Sequence, residues 1–131
     1  MKQLIVITGP TASGKTGLAV QLAKRLKADV ISADSRQFYK ELSIGTAKPS
    51  IGEMEGVAHH FVDHISIHDT YTVGQYEREV LDFLNSYFKS RDQIVLVGGS
   101  GLFVRAICEG LDVFPTIPET IRMNVRSLYE T

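Results

Sequence analysis

The chain has 131 residues, 44% of them hydrophobic and 22% charged, which is the composition of an ordinary globular domain and excludes a disordered tail or a collagen-like rod. Fourteen Lys and Arg against fifteen Asp and Glu give a formal charge of −1, so no global basic field attracts nucleic acid. Any such binding must rest on local patches or on residues outside this chain. The single cysteine, Cys108, can form no intrachain bridge; it fits a reducing compartment and reads as a small core residue on a helix. The apolar run at 4–7 is too short for a signal-peptide core, and no apolar stretch reaches bilayer length, so a cytoplasmic protein that engages no membrane is expected.

In chain order, the β-branched run at 4–7 ends at Gly9-Pro10 and predicts a strand buried on both faces, the central one of a parallel sheet. Leu18, Ala19, Leu22, Ala23 and Leu26 recur at helical spacing and predict an amphipathic helix over 15–27. Residues 29–32 read as a second strand, with Asp34 just past its carboxyl end, and strand, helix, strand is the right-handed crossover unit. The stretch 35–56, with three glycines and one proline, predicts a long functional loop holding one short helix. Another strand is expected within 57–63. Thr72 and Gln75 form a capping-box pair ahead of a periodic helix over 73–89. Residues 93–97 repeat the buried-strand pattern and run into Gly98-Gly99-Ser100-Gly101, followed by a helix over 102–109. The two strand-glycine-helix junctions should share one rim. Pro115 and Pro118 mark a boundary, and 119–129 reads as the start of a further helix.

Gly9, Pro10, Thr11, Ala12, Ser13, Gly14, Lys15 and Thr16 match the phosphate-binding loop pattern in full, between a buried strand and an amphipathic helix. Such loops are common to ATP-binding and other nucleotide-binding proteins. Backbone amides at a helix N-terminus converge on a phosphate, Lys15 adds a full charge, and Thr16 offers its hydroxyl to Mg²⁺. The implied fold is α/β, a P-loop NTPase-like parallel sheet flanked by helices. The loop specifies oligophosphate and not a reaction. A guanine-specific Asn-Lys-x-Asp is absent, and the strand at 93–97 ends in glycine instead of Asp, which argues against GTPases and motor ATPases.

Five segments in order resemble the tRNA dimethylallyltransferases: GPTASGKT at 9–16, Asp34-Ser35-Arg36-Gln37, Ile44-Gly45-Thr46-Ala47-Lys48-Pro49, His59-His60-Phe61-Val62-Asp63, and Gly98-Gly99-Ser100-Gly101-Leu102-Phe103. The resemblance implies a Mg²⁺-dependent transfer of the dimethylallyl group from dimethylallyl diphosphate to N6 of the adenosine beside the anticodon, in tRNAs reading codons that begin with U. It implies that residues 9–16 hold the donor's diphosphate and that no nucleotide is hydrolysed. It gives Asp34 the role of general base, for which an exocyclic amine that becomes acidic only as its new bond forms has a chemical need. It sets Ser100, where the family often has threonine, near the amine and the diphosphate, and makes Lys15 a catalytic cation against the charge that builds on the leaving group. Asp34, Ser35, Arg36, Gln37, Ser100 and Arg122 are then the tRNA-binding set, although a solvated surface charge is the competing reading for Arg36 and Arg122. Lys48 could reach a phosphate from the long loop.

Family members run to about twice this length, so the resemblance implies a core domain over 1–114 and the beginning of a helical tRNA-binding insertion over 115–131. A fragment without activity of its own, and a monomer, are the corresponding expectations. His59, His60, His64, His68 and Asp63 match no usual zinc spacing, and adjacent histidines on a strand point to opposite faces; the resemblance makes the His-His segment structural, at the sheet edge. Tyr71 and Tyr76 read as core or helix-entry residues. An adenylate dimethylallyltransferase, a small-molecule P-loop kinase and a phosphate-binding module without activity stand as the alternative functions.

Overall fold

The computed structural model describes residues 1–10, 13–42, 48–99, 101–110 and 119–130. Four strands form one parallel sheet: β1 (Gln3–Thr8), β2 (Val30–Ser32), β3 (His59–His60) and β4 (Gln93–Gly98), in the order β1-β4-β2-β3. β1 runs beside β4 from Gln3 opposite Gln93 to Thr8 opposite Gly98, so both glycine turns open on the same rim. Helices α1 (Lys15–Leu26), α2 (Ile51–Met54), α3 (Val73–Tyr87), α4 (Gly101–Glu109) and α5 (Glu119–Glu130) complete the described elements, with a 3-10 turn at Ser35–Phe38.

The strand period of two divides the core between the two faces. Val30 and Val95 turn to α1, where they meet Ala19 and Ala23. Ile31, Ile94 and Leu96 turn to the other face and pack with Tyr76, Val80 and Leu84 of α3 and Val104 of α4. Phe38 joins them from the 3-10 turn, stacked on Tyr76 at 5.0 Å between ring centroids. The capping box of α3 forms in both directions: Gln75 N–H donates to Thr72 Oγ1 at 3.1 Å, and Thr72 N–H donates to Gln75 Oε1 at 2.8 Å.

Four expectations are corrected. Among the described residues β1 lies at the edge of the sheet and β4 and β2 occupy its middle, so Val6 is 36% exposed and the strands buried on both faces are β2 and β4. Leu18 is 55% exposed, because α1 seats its small residues Ala19, Val20 and Ala23 against the sheet instead. The strand within 57–63 shrinks to two residues, since Phe61 and Asp63 both take left-handed φ and turn the chain away. Cys108 lies on the exposed side of α4 and not in the core. The long loop holds two short elements, the 3-10 turn and α2. The boundary with Pro115 and Pro118 lies outside the described residues. No described helix is long and apolar enough to cross a membrane.

Candidate active site

At the carboxyl rim of the sheet, β1 delivers the chain through Gly9 and Pro10 to α1. Gly14 adopts φ 85° as the N-cap of α1, a left-handed conformation that suits glycine. Among the described residues no side chain caps this end and no acidic residue stands in the first turn, so the first amides of α1 are left for an external acceptor. The Pro10 carbonyl gathers the loop: it accepts from Ser13 Oγ at 2.7 Å and from Lys15 Nζ at 2.5 Å. The second glycine turn closes against the first. A Cβ on Gly99 would stand 3.2 Å from the Gly9 carbonyl oxygen and 3.8 Å from Lys15 Nζ. A Cβ on Gly98 would fall 2.5 Å from the carbonyl carbon of Ala33, which no side chain allows.

Beside this loop lies a cleft of about 370 Å³. Ser13 to Gly17 form one wall; Ser32, Asp34 and Gln37, from the end of β2 and its 3-10 turn, form another. Asp34 both caps the turn and faces the cleft: its Oδ1 accepts the Arg36 amide at 3.0 Å, and no group among the described residues takes Oδ2. Lys48, Pro49, Glu53 and His59 close the far side. Lys48 is committed locally, since its side chain is only 9% exposed and its ammonium donates to Asp63 Oδ1 and to the Tyr39 carbonyl, both at 2.5 Å.

The cleft thus joins Lys15, Gly14, Ser13 and Thr16 to Asp34 and Gln37. Ser35 and Arg36 are not in its lining, and Arg36 is exposed. Gly9 and Pro10 line a second hollow of about 550 Å³ on the other side of the rim, with Arg105 and Cys108. Thr11, Ala12 and Ser100, and the side chain of Arg122, lie outside the described residues.

The two adjacent histidines divide, as alternation on a strand requires. His60 Nε2 meets Asp29 Oδ2 at 2.8 Å, and Arg91 donates to Asp29 Oδ1 at 2.9 Å, which ties the sheet edge to the end of α3. His59 is bound through Nδ1 to the Val57 carbonyl at 2.9 Å and lines the cleft, so it is more than an edge residue. Ser32, Glu53 and His59 were not legible as cleft residues. The only signal in the sequence was a hydroxyl at the end of an otherwise apolar strand.

Comparison with known proteins adds to this geometry. A family model described as IPP transferase matches residues 37–131. The tRNA dimethylallyltransferase of Flavobacterium johnsoniae is 49% identical over 130 residues, covering 99% of this chain and 42% of that protein. The crystal structure of the full-length tRNA isopentenylpyrophosphate transferase from Bacillus halodurans superposes with a TM-score of 0.81 at 35% identity, over 99% of this chain and 43% of the other. A eukaryotic dimethylallyltransferase, captured acting on tRNA, gives 0.79 at 27% identity over 94% of this chain and 32% of its own. The chain therefore spans about two-fifths of the length of the curated relatives it matches. The fold shared with these structures is the P-loop NTPase-like one. With its phosphate loop, its carboxylate at the end of β2 and this family match over residues 37–131, the chain belongs to the IPP transferase family.

Proposed function

We propose that this protein, in a polypeptide of its relatives' full length, transfers the dimethylallyl group of dimethylallyl diphosphate to N6 of the adenosine beside the anticodon of tRNAs reading codons that begin with U. The observation that carries this reading is the meeting of a cationic phosphate loop and the Asp34 carboxylate on one cleft. The N6 lone pair attacks the allylic carbon, the bond from that carbon to the bridging oxygen breaks, and its electron pair leaves with diphosphate. Lys15 and the free amides of α1 stabilise the charge that gathers on the leaving group. Asp34 takes the proton that N6 sheds as its new bond forms, the family resemblance gives the Ser100 hydroxyl a role toward both reactants, and the segment with Ser35, Arg36 and Gln37 holds the target nucleotide.

Thr16 fits a Mg²⁺ role: it is half-buried, lines the cleft beside Lys15, and Mg²⁺ commonly rests on one or two protein oxygens plus the phosphates of its substrate. When bound there the ion would neutralise part of the diphosphate charge. A monomer in the cytoplasm is the setting proposed. The 131 residues alone would hold diphosphate without completing transfer, since a chain of net charge −1 lacks the basic surplus that gripping tRNA through many phosphates requires. The test is isotope transfer from labelled dimethylallyl diphosphate, by the full-length polypeptide, to tRNA, AMP or ATP. Label in tRNA is the expected result. Label on AMP or ATP would replace this reading with the adenylate transferase, and phosphate moved from ATP to a small molecule with no prenyl transfer would replace it with a kinase.

A further inference from the structure

Ser32 stands between Ile31 and Ala33, both fully buried, and is itself 2% exposed. A hydroxyl in such a place destabilises the strand unless it is paired. Its Oγ accepts the Asp34 amide at 3.3 Å and lies 3.0 Å from Gln37 Oε1. An amide oxygen has no proton to give, so Ser32 donates, and the Gln37 side chain is held by its oxygen with its polarity set. The Ser32 carbonyl in turn accepts the buried Tyr76 hydroxyl of α3 at 2.8 Å. The corner is closed by the Gln37 amide, which donates to the Asp34 carbonyl at 3.0 Å. Asp34 and Gln37, which both line the cleft, are therefore tied to one buried hydroxyl, and the backbone carbonyl of the same serine is tied to the core helix. Valine would serve the strand equally well and would do neither.

We infer that Ser32 is a positioning residue: its hydroxyl holds the Asp34 backbone and the Gln37 amide in one arrangement, so that the proton acceptor and the group meeting the acceptor adenosine are presented together. This rests on the transferase reading given above. The test is a double-mutant cycle in the full-length polypeptide, with Ser32→Ala, Ser32→Thr, Gln37→Ala and Ser32→Ala/Gln37→Ala, followed by steady-state transfer to tRNA and by thermal unfolding. Ser32→Ala should lower kcat/KM for tRNA by about tenfold and leave KM for dimethylallyl diphosphate within about twofold, and Ser32→Thr should restore most of the loss. In the Gln37→Ala background the further loss from Ser32→Ala should shrink to about twofold or less, because the two act as a unit. Equal losses in both backgrounds, no rescue by threonine, or a loss that follows the unfolding midpoint across all variants would overturn the assignment while leaving the transferase reading intact. Absence of transfer by the unsubstituted protein would instead remove that reading, and the inference with it.

Discussion

Lys15 follows a left-handed glycine and bends its ammonium back onto the Pro10 carbonyl, so the full positive charge of the loop waits at its mouth. A diphosphate offers that ammonium a far stronger acceptor than a neutral carbonyl, because the acceptor then carries the opposite charge and Coulomb attraction adds to the hydrogen bond. Lys15→Ala should therefore slow single-turnover transfer by at least about tenfold, or about 1.4 kcal/mol of barrier, and weaken diphosphate capture. Unchanged kinetics would remove Lys15 from the catalytic set. Asp34 carries a different burden. Its Oδ1 is used by the Arg36 amide, and only a carboxylate can also take a proton. Asp34→Asn keeps the cap and the shape, so transfer should fall by about 10²-fold or more with little change in tRNA affinity. A variant that binds tRNA poorly but reacts at full rate when saturated would show a binding residue instead of a base. Both side chains were legible from sequence, because a phosphate loop and the carboxyl end of a parallel strand have local signatures. Ser32, Glu53 and His59 were not, since their place on the cleft depends on their meeting the phosphate loop, whose Lys15 lies 17, 38 and 44 residues before them in the chain.

Among the elements, Gly98 of β4 lies against the backbone of Ala33, just past the end of β2, and the Ala33 amide donates to the Val97 carbonyl at 2.8 Å. The contact is backbone on backbone, so a methyl there cannot be absorbed by a rotamer change. Gly98→Ala should destabilise the fold by about 1–3 kcal/mol and shift the second glycine turn away from Lys15, read as a lower urea midpoint together with slower transfer. A fully stable, fully active variant would mean the two strands can part without cost. The helical periods of α1, α3 and α4 were readable to within one or two residues at most ends, and the Thr72 capping box identified the start of α3. β3 was over-extended, because a run such as His-His-Phe-Val carries strand propensity while the left-handed φ of Phe61 and Asp63 is set by what they pack against.

At the scale of the whole molecule, stability should depend on pH through His64. Its ring sits edge-on to Phe38, Phe61 and Tyr71, and neither ring nitrogen has a hydrogen-bond partner among the described residues. Burial holds its pKa below the ordinary imidazole value, against the opposite pull of Glu79 3.8 Å away. A depressed imidazole means the unfolded chain binds the proton more readily. The contribution is therefore complete above the unfolded value of about 6.5 and is lost as pH falls below it toward the folded one. The urea midpoint should drop between about pH 7.5 and about pH 5.5, and drop less in His64→Phe. An equal drop in both would assign the acid sensitivity to other groups.

The sequence by itself determined the fold class, the helices and the phosphate loop, because hydrophobic period, capping chemistry and glycine placement are local and act within a few residues. It also determined that a carboxylate would stand at the end of β2. Tertiary structure alone decided the strand order, and with it the exposure of β1, since pairing between parallel strands is a choice among partners distant in the chain. It decided as well that Lys48 turns to Asp63, that one histidine of the pair ties the sheet edge while the other lines the cleft, and that a buried serine holds Asp34 and Gln37 together. Each of these is a contact whose energy depends on which groups lose water together, and no single stretch of sequence contains both partners and their surroundings.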